Sequence, residues 1–183
     1  MLQVTGFQIA GDIVGLDGIG TGLHQASAVA LEAAEVFVLP FPYCEQWSHE
    51  FAYSQRLLMR TLASEIVRNR KHLLALRTVR AEGRMAIFLL DLSDRYQRLE
   101  LSRSRFILGM SRQELGSFLG LTLETVSRLL SRFQREGILQ LQGKSVALLD
   151  FPELLRLAGH ASSCPSPVVL PIVDGNGDFV VAH

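Results

Sequence analysis

The sequence has 183 residues, of which 48% are hydrophobic and 20% are charged, with a mean hydropathy of +0.23. This length is typical of one domain or two small ones. No apolar run approaches the roughly 20 residues that a membrane span requires, and no basic leader precedes an apolar segment, so we expect neither a membrane protein nor a secreted one. Cys44 and Cys164 lie too far apart in sequence for a metal-binding pair and form no disulfide framework, which favours a reducing cytoplasm.

The net charge of zero conceals an uneven distribution of charge. Residues 1–55 contain six acidic residues and no lysine or arginine, whereas all 18 basic residues lie between Arg56 and Arg156. The chain from Arg56 onward therefore carries a net charge of +6. This distribution indicates an anionic partner for the second part, although ordinary surface ion pairs would give the same composition.

The first 50 residues consist of short apolar runs separated by glycines. Two such runs are residues 7–10 and 36–41. Short runs of this kind between glycine turns are typical of β-strands. The pattern therefore predicts a partial all-β unit over residues 1–50.

Residues 51–80 contain no proline or glycine, which permits one long helix. Within it, six residues recur at alternating steps of three and four, the spacing of a coiled-coil seam: Met59, Leu62, Ile66, Asn69, Leu73 and Leu76. The polar member, Asn69, is the type of residue that fixes the register of two paired helices. The pattern favours a dimer seam, and the alternative is packing against the core of the same chain.

A helix-turn-helix is predicted after a helix over residues 81–98 and a short strand over residues 106–108. Ser111 followed by Glu114 is a capping box, Gly120 permits a sharp turn, and Thr122 can cap a second helix. Gly116 is small where the two helices would cross. The residues spaced to fill the wedge between the helices are Leu115, Leu119, Leu121, Val126 and Leu129.

The outward face of the second helix carries residues suited to reading DNA. The N-terminal part of a recognition helix reaches base edges in the major groove, so Glu124, Ser127 and Arg128 are the candidates for base reading. Glu124 has a simpler alternative role, which is to complement the helix dipole. The candidates for phosphate contact are Thr122, Thr125, Arg132, Arg135 and Lys144.

A β-hairpin and a short helix are predicted beyond the second helix. Residues 138–149 alternate in polarity around Gly143 and Lys144, which predicts a hairpin that would serve as the wing of a winged helix. Residues 151–159 read as a closing helix. Residues 160–183 are predicted to form a flexible tail or a small hairpin. The five histidines show no metal-binding spacing.

The chain resembles the CRP/FNR family of regulators, most closely its fumarate and nitrate reduction subfamily. The resemblance extends over residues 6–159, and the segments that carry it are GFQIAGDIVGLDGIGTG (residues 6–22), LGLTLETVSRLLSRFQREG (residues 119–137) and LAGH (residues 157–160). It implies an α+β fold: a partial β-roll of the cyclic-nucleotide-binding, jelly-roll type, a dimerisation helix over residues 51–80, and a winged helix-turn-helix over residues 81–159. It also implies that Glu124, Ser127 and Arg128 form the E-x-x-S-R triad of the family, which reads TTGAT-type half-sites.

The sequence departs from the family pattern at the sensor positions. Phe37 stands where the oxygen sensors have a cysteine of the roll, and two cysteines cannot supply four thiolates, so no Fe–S cluster is expected. Leu16 and Ala26 stand where cAMP-binding members have a glutamate and an arginine. Because Met1 aligns partway through the roll, an N-terminally truncated member is expected. We therefore predict no cofactor.

The expected function is that of a non-enzymatic, homodimeric regulator that binds palindromic double-stranded DNA, with RNA polymerase as a further partner. The alternatives are a ligand-sensing or protein-docking module, or a dominant-negative partner of full-length family members.

Overall fold

The computed structural model describes residues 3–159 together with two short strands at residues 172–173 and 179–180. The elements follow the chain as α1 (Phe41–Glu50), α2 (Ala52–Thr78), α3 (Ala81–Arg98), β1 (Arg105–Ile107), α4 (Arg112–Leu119), α5 (Leu123–Arg135), β2 (Leu139–Gln142), β3 (Ser145–Leu148), α6 (Phe151–Gly159), β4 (Ile172–Val173) and β5 (Phe179–Val180). The predicted α+β class is confirmed.

Residues 3–40 differ from the strands that the sequence predicts. Among the described residues, none before Arg105 belongs to a strand, and the segment contains only a short 3-10 turn at Leu16–Gly18. Residues 41–50, also assigned to the roll, form helix α1 instead. The physical reason is that a strand needs a neighbour to satisfy its backbone hydrogen bonds. The apolar runs find no such neighbour in the described part of the chain.

The N-terminal segment nevertheless contacts the rest of the chain. Phe7 packs edge-on against Phe88 and Phe118, with ring centroids 6.0 and 5.3 Å away. Asp12 forms an ion pair with Arg95, a side chain that is almost completely buried. These contacts attach the segment to α3 and α4.

Helix α2 extends over the predicted range and ends where Val79 and Arg80 take extended backbone conformations. Its C-terminal end packs against α4, because the His72 ring stacks on Phe118 with centroids 4.0 Å apart. None of the described helices is both long and apolar enough to cross a bilayer.

The core lies between α3, the helices that follow it, and a three-stranded antiparallel sheet with the order β1-β3-β2. The register pairs Phe106 with Val146 and Leu141 with Val146 from the other side. Fully buried side chains from α3, α5, the sheet and α6 meet there, among them Met85, Leu89, Phe133, Leu139 and Leu154. This core fixes the position of α5, which carries the candidate site.

The predicted tail over residues 160–183 lies outside the described residues except for β4 and β5. These two strands pair antiparallel, Ile172 with Val180 and Val173 with Phe179.

Candidate nucleic-acid interface

Helix α4 begins with the predicted capping box. The Ser111 hydroxyl accepts a hydrogen bond from the backbone N–H of Glu114 at 3.2 Å, and the Glu114 carboxylate accepts one from the backbone N–H of Ser111 at 2.6 Å. The second of these bonds lowers the pKa of Glu114 below its usual value. Both ends of the box are therefore satisfied, which fixes the start of α4.

A tight turn joins α4 to α5 at the predicted glycine. Gly120 takes a φ of 63° and a ψ of 42°, a left-handed conformation that a residue with a Cβ adopts only at a steric cost. The backbone N–H of Leu121 then donates to the Gly116 carbonyl at 2.8 Å. Thr122 caps α5, because its hydroxyl accepts a hydrogen bond from the backbone N–H of Thr125 at 3.2 Å.

Gly116 lies where the two helices approach most closely. A Cβ at this position would stand 2.7 Å from the Leu121 carbonyl oxygen, so only glycine fits without a backbone shift. The predicted wedge residues are buried or, in the case of Leu121, partly buried. The helix-turn-helix predicted from the sequence is thus confirmed in its capping, its turn and its core.

The outward face of α5 is polar and open. An exposed depression along it is lined by Ser127, Arg128, Ser131, Arg132 and Arg135. A shallow polar surface of this kind suits an extended polar partner better than a small molecule, which binds in a concave and mostly apolar pocket.

Glu124 is exposed in the first turn of α5 and is ionised at neutral pH. Its own backbone N–H, followed by the Thr122 hydroxyl, lowers the pKa of its carboxyl group. The positive charge of Arg128, one turn further along, lowers it slightly more. This environment supports both roles considered for Glu124, acceptor of a base amino group and complement to the helix dipole.

The arginines of α5 differ in their surroundings. Arg132 donates from Nε to Glu136 at 2.8 Å and from Nη1 to Glu82 at 3.1 Å. Arg128 and Arg135 form no salt bridge with any residue that the structure describes. The contact between Arg132 and Glu82 joins residues 50 positions apart, and no local sequence pattern indicates it.

Thr122 and Thr125 are engaged with one another at the start of α5. Their hydroxyl oxygens lie 3.0 Å apart, in addition to the capping bond. Leu123, which the sequence analysis did not select, is 46% exposed at the first position of the helix. Its place beside Glu124 is the signal that could have identified it, since an apolar side chain at a recognition helix can contact a thymine methyl group.

Lys144 lies at the tip of the hairpin formed by β2 and β3, as predicted. Its Nζ donates to the Gly109 carbonyl at 3.3 Å, and its own carbonyl accepts from the backbone N–H of Leu108. The hairpin is thereby attached to the segment that leads into α4. This arrangement places the wing beside the helix-turn-helix.

The seam residues of α2 are divided between an open face and an internal contact. Met59, Ile66 and Leu73 are 57%, 55% and 61% exposed, and Asn69 is also exposed. Leu62 is half-buried. Leu76 is half-buried as well, because it packs near Gly120 at the turn of the helix-turn-helix. Core packing within the chain therefore accounts for Leu76 and leaves the exposed apolar residues uncovered.

Metal ligation receives no support from the described residues. Among them, no group of three or more histidine, cysteine, aspartate or glutamate side chains is arranged to hold a metal ion.

Comparison with known proteins agrees with this geometry. A family model described as a Crp-like helix-turn-helix domain matches residues 83–157. The transcriptional regulatory protein btr of Bordetella pertussis is 47% identical over 161 residues, which make up 88% of this chain and 66% of that protein. The fumarate and nitrate reduction regulatory protein of Escherichia coli is 40% identical over 158 residues, covering 86% of this chain and 63% of that protein.

A solved structure also matches. FixK2 from Bradyrhizobium japonicum superposes with a TM-score of 0.57 at 33% identity, covering 63% of this chain and 57% of that chain. The fold and the site thus define a winged helix-turn-helix domain of the Crp type. The chain belongs to the CRP/FNR family. It spans slightly less than two-thirds of the length of the curated relatives described above.

Proposed function

We propose that the protein is a dimeric, sequence-specific DNA-binding regulator of transcription that reads an inverted repeat. The observation that carries this proposal is the outward face of α5, where Glu124, Ser127 and Arg128 follow a capped N-terminus. An exposed arginine without an ion pair suits the O6 and N7 acceptors of guanine, and an ionised carboxylate suits the amino group of cytosine. Such a function involves no catalytic step. A protein that binds promoter DNA would lie in the same compartment as that DNA, the cytoplasm.

Phosphate contacts would flank the base-reading residues. Arg135 extends from the last turn of α5, and Lys144 extends from the wing. Both side chains would supply positive charge at a distance from the base edges, which orients a protein on DNA without reading sequence. Thr122 and Thr125 would present hydroxyls, or the backbone N–H groups of the helix start, to a phosphate.

Dimerisation would place two recognition helices on one face of the DNA. The exposed residues Met59, Ile66 and Leu73 lie on one stripe of α2 and would be buried by a second copy. Two helix-turn-helix units related by a twofold axis bind half-sites about 34 Å apart. The expected target is a palindrome with TTGAT-type half-sites, and RNA polymerase is the expected partner at the promoter.

The competing proposal is that the helix-turn-helix docks onto another protein. The chemistry of α5 disfavours it, since the depression on its open face is lined by serines and arginines without an aromatic or aliphatic side chain, whereas the central part of a protein interface is more apolar. A heterodimer with a longer family member would use the same stripe on α2, and its DNA-binding chemistry would be unchanged.

The roles of individual residues are tested by measuring binding to every single-base variant of one half-site. Arg128→Ala should lose discrimination at one base position by about 1–3 kcal/mol, while Lys144→Ala should weaken binding to all variants alike. Arg156→Ala, which removes an exposed arginine of α6, serves as the control and should change neither the discrimination between bases nor the overall affinity for DNA. Equal losses on specific and random DNA for both Arg128→Ala and Lys144→Ala would contradict this assignment.

A further inference from the structure

Arg132 occupies a different chemical environment from the other arginines of α5. Its guanidinium group contacts two carboxylates, those of Glu136, one turn further along at the C-terminal cap of α5, and of Glu82 in the first turn of α3. One arginine and two glutamates carry a net negative charge together. A phosphate would therefore meet an anionic cluster at this point, unless both carboxylates moved away.

The position of Glu82 determines which elements the ion pair with Arg132 joins. Glu82 is the second residue of α3, which begins directly after the extended residues Val79 and Arg80 that separate it from the long helix α2. Arg132 lies in the last turn of α5. The ion pair thus connects the recognition helix to the first turn of α3, the element that follows α2 in the chain.

We propose that Glu82, Arg132 and Glu136 form a clamp that holds the end of the recognition helix against the start of α3, and that Arg132 is a positioning residue and not a phosphate ligand. This inference rests on the proposed function and deepens it. In a dimer paired through α2, each α3 begins directly after the pairing helix, so a clamp between α3 and α5 would fix the separation and tilt of the two recognition helices. The property under its control is the preference for one spacing between half-sites.

The clamp and the phosphate contact predict opposite results for Glu82→Gln. This variant keeps the size of the side chain and leaves Arg132 in place. If the clamp operates, the variant binds a single half-site with the affinity of the wild type. Its ratio of affinities for the optimal spacer and for spacers one base pair longer or shorter decreases several-fold. If Arg132 is a phosphate ligand, releasing it from Glu82 tightens binding to all spacers.

Salt dependence separates the two cases independently. Each phosphate contact contributes about 0.9 to the slope of log K against log salt concentration, so a contact made by both subunits contributes about 1.8. Under the clamp proposal, Arg132→Gln changes the spacer preference and leaves the slope as in the wild type. The matched variant Arg135→Gln should make the slope less steep, by about 1.8 in magnitude, and retain the spacer preference.

The experiment is fluorescence anisotropy of the full chain and its variants on palindromes with varied spacers, across a salt series. The expected result is a shared loss of spacer preference in Glu82→Gln and Arg132→Gln, with no further loss in the double variant. A weaker salt dependence in Arg132→Gln, or tighter binding of Glu82→Gln to DNA with every spacer, would overturn the clamp. Failure of the wild type to distinguish any palindrome from scrambled DNA would instead refute the proposed function itself.

Discussion

Replacing Gly116 by alanine is the most direct perturbation of the helix-turn-helix. The added Cβ would lie 2.7 Å from the Leu121 carbonyl oxygen and 3.5 Å from the Thr122 carbonyl carbon. Both neighbours are backbone atoms, so α5 must move away from α4 by several tenths of an ångström. Overpacking of this kind costs about 1–3 kcal/mol, and the higher helix propensity of alanine returns up to about 1 kcal/mol. We expect a net loss of about 1–2 kcal/mol.

The assay is thermal unfolding followed by circular dichroism. In the winged helix-turn-helix domain of residues 81–159, which is shorter than 100 residues, 1 kcal/mol corresponds to roughly 4–8 °C in Tm, so the unfolding of this domain in Gly116→Ala should occur roughly 4–16 °C below that of the wild type. Gly159→Ala is the matched control, because a Cβ at Gly159 would have no neighbour within 4 Å. Equal unfolding temperatures for the two variants would contradict a steric conflict at Gly116.

Three further predictions concern the cap, a histidine and the seam. Ser111→Ala should lower the free energy of unfolding, measured with denaturant, by about 1 kcal/mol. Because the pKa of its partner Glu114 is lowered in the folded chain, the contribution of Glu114 to stability should be present at neutral pH and be lost as pH falls below the ordinary value of 4.5. Burial lowers the pKa of His72 below 6.5, so the unfolded chain takes up the proton first and the free energy of unfolding should decrease as pH falls below 6.5. His72→Phe, which keeps a ring against Phe118, should flatten that dependence between pH 5 and 7, and an unchanged profile would contradict it. Ile66→Asp should convert the dimer to monomer in sedimentation velocity, while Val67→Asp, equally exposed but off the seam, should remain dimeric.

The helix-turn-helix could be predicted because its determinants are local. The capping box joins residues three positions apart, the turn depends on one glycine, and Thr122 caps its own helix. The helix predicted over residues 81–98 likewise has the observed limits of α3, Ala81–Arg98. In such segments, chain geometry alone brings the interacting groups together.

The rest of the fold depends on contacts that no short segment contains. The predicted strands of residues 1–50 need partners supplied from elsewhere, and the described structure pairs none of them. Asp12 instead meets Arg95, and Glu82 meets Arg132, across 83 and 50 positions. A single sequence shows that these residues are charged but not which of them meet. For this reason the sequence pattern predicts the same phosphate contact for Arg132 and Arg135, whereas of these two only Arg132 forms ion pairs with carboxylates of the described residues.

The proposed function requires that two copies of the chain read one palindrome through their α5 helices. Fluorescence anisotropy of the purified protein on a TTGAT-N4-ATCAA duplex and on a scrambled duplex, across a salt series and without added ligand, tests it directly. We expect much tighter binding to the palindrome, with a preference that persists as salt rises, because base contacts depend less on salt than phosphate contacts do. Equal, steeply salt-dependent affinities for both duplexes would contradict sequence-specific reading.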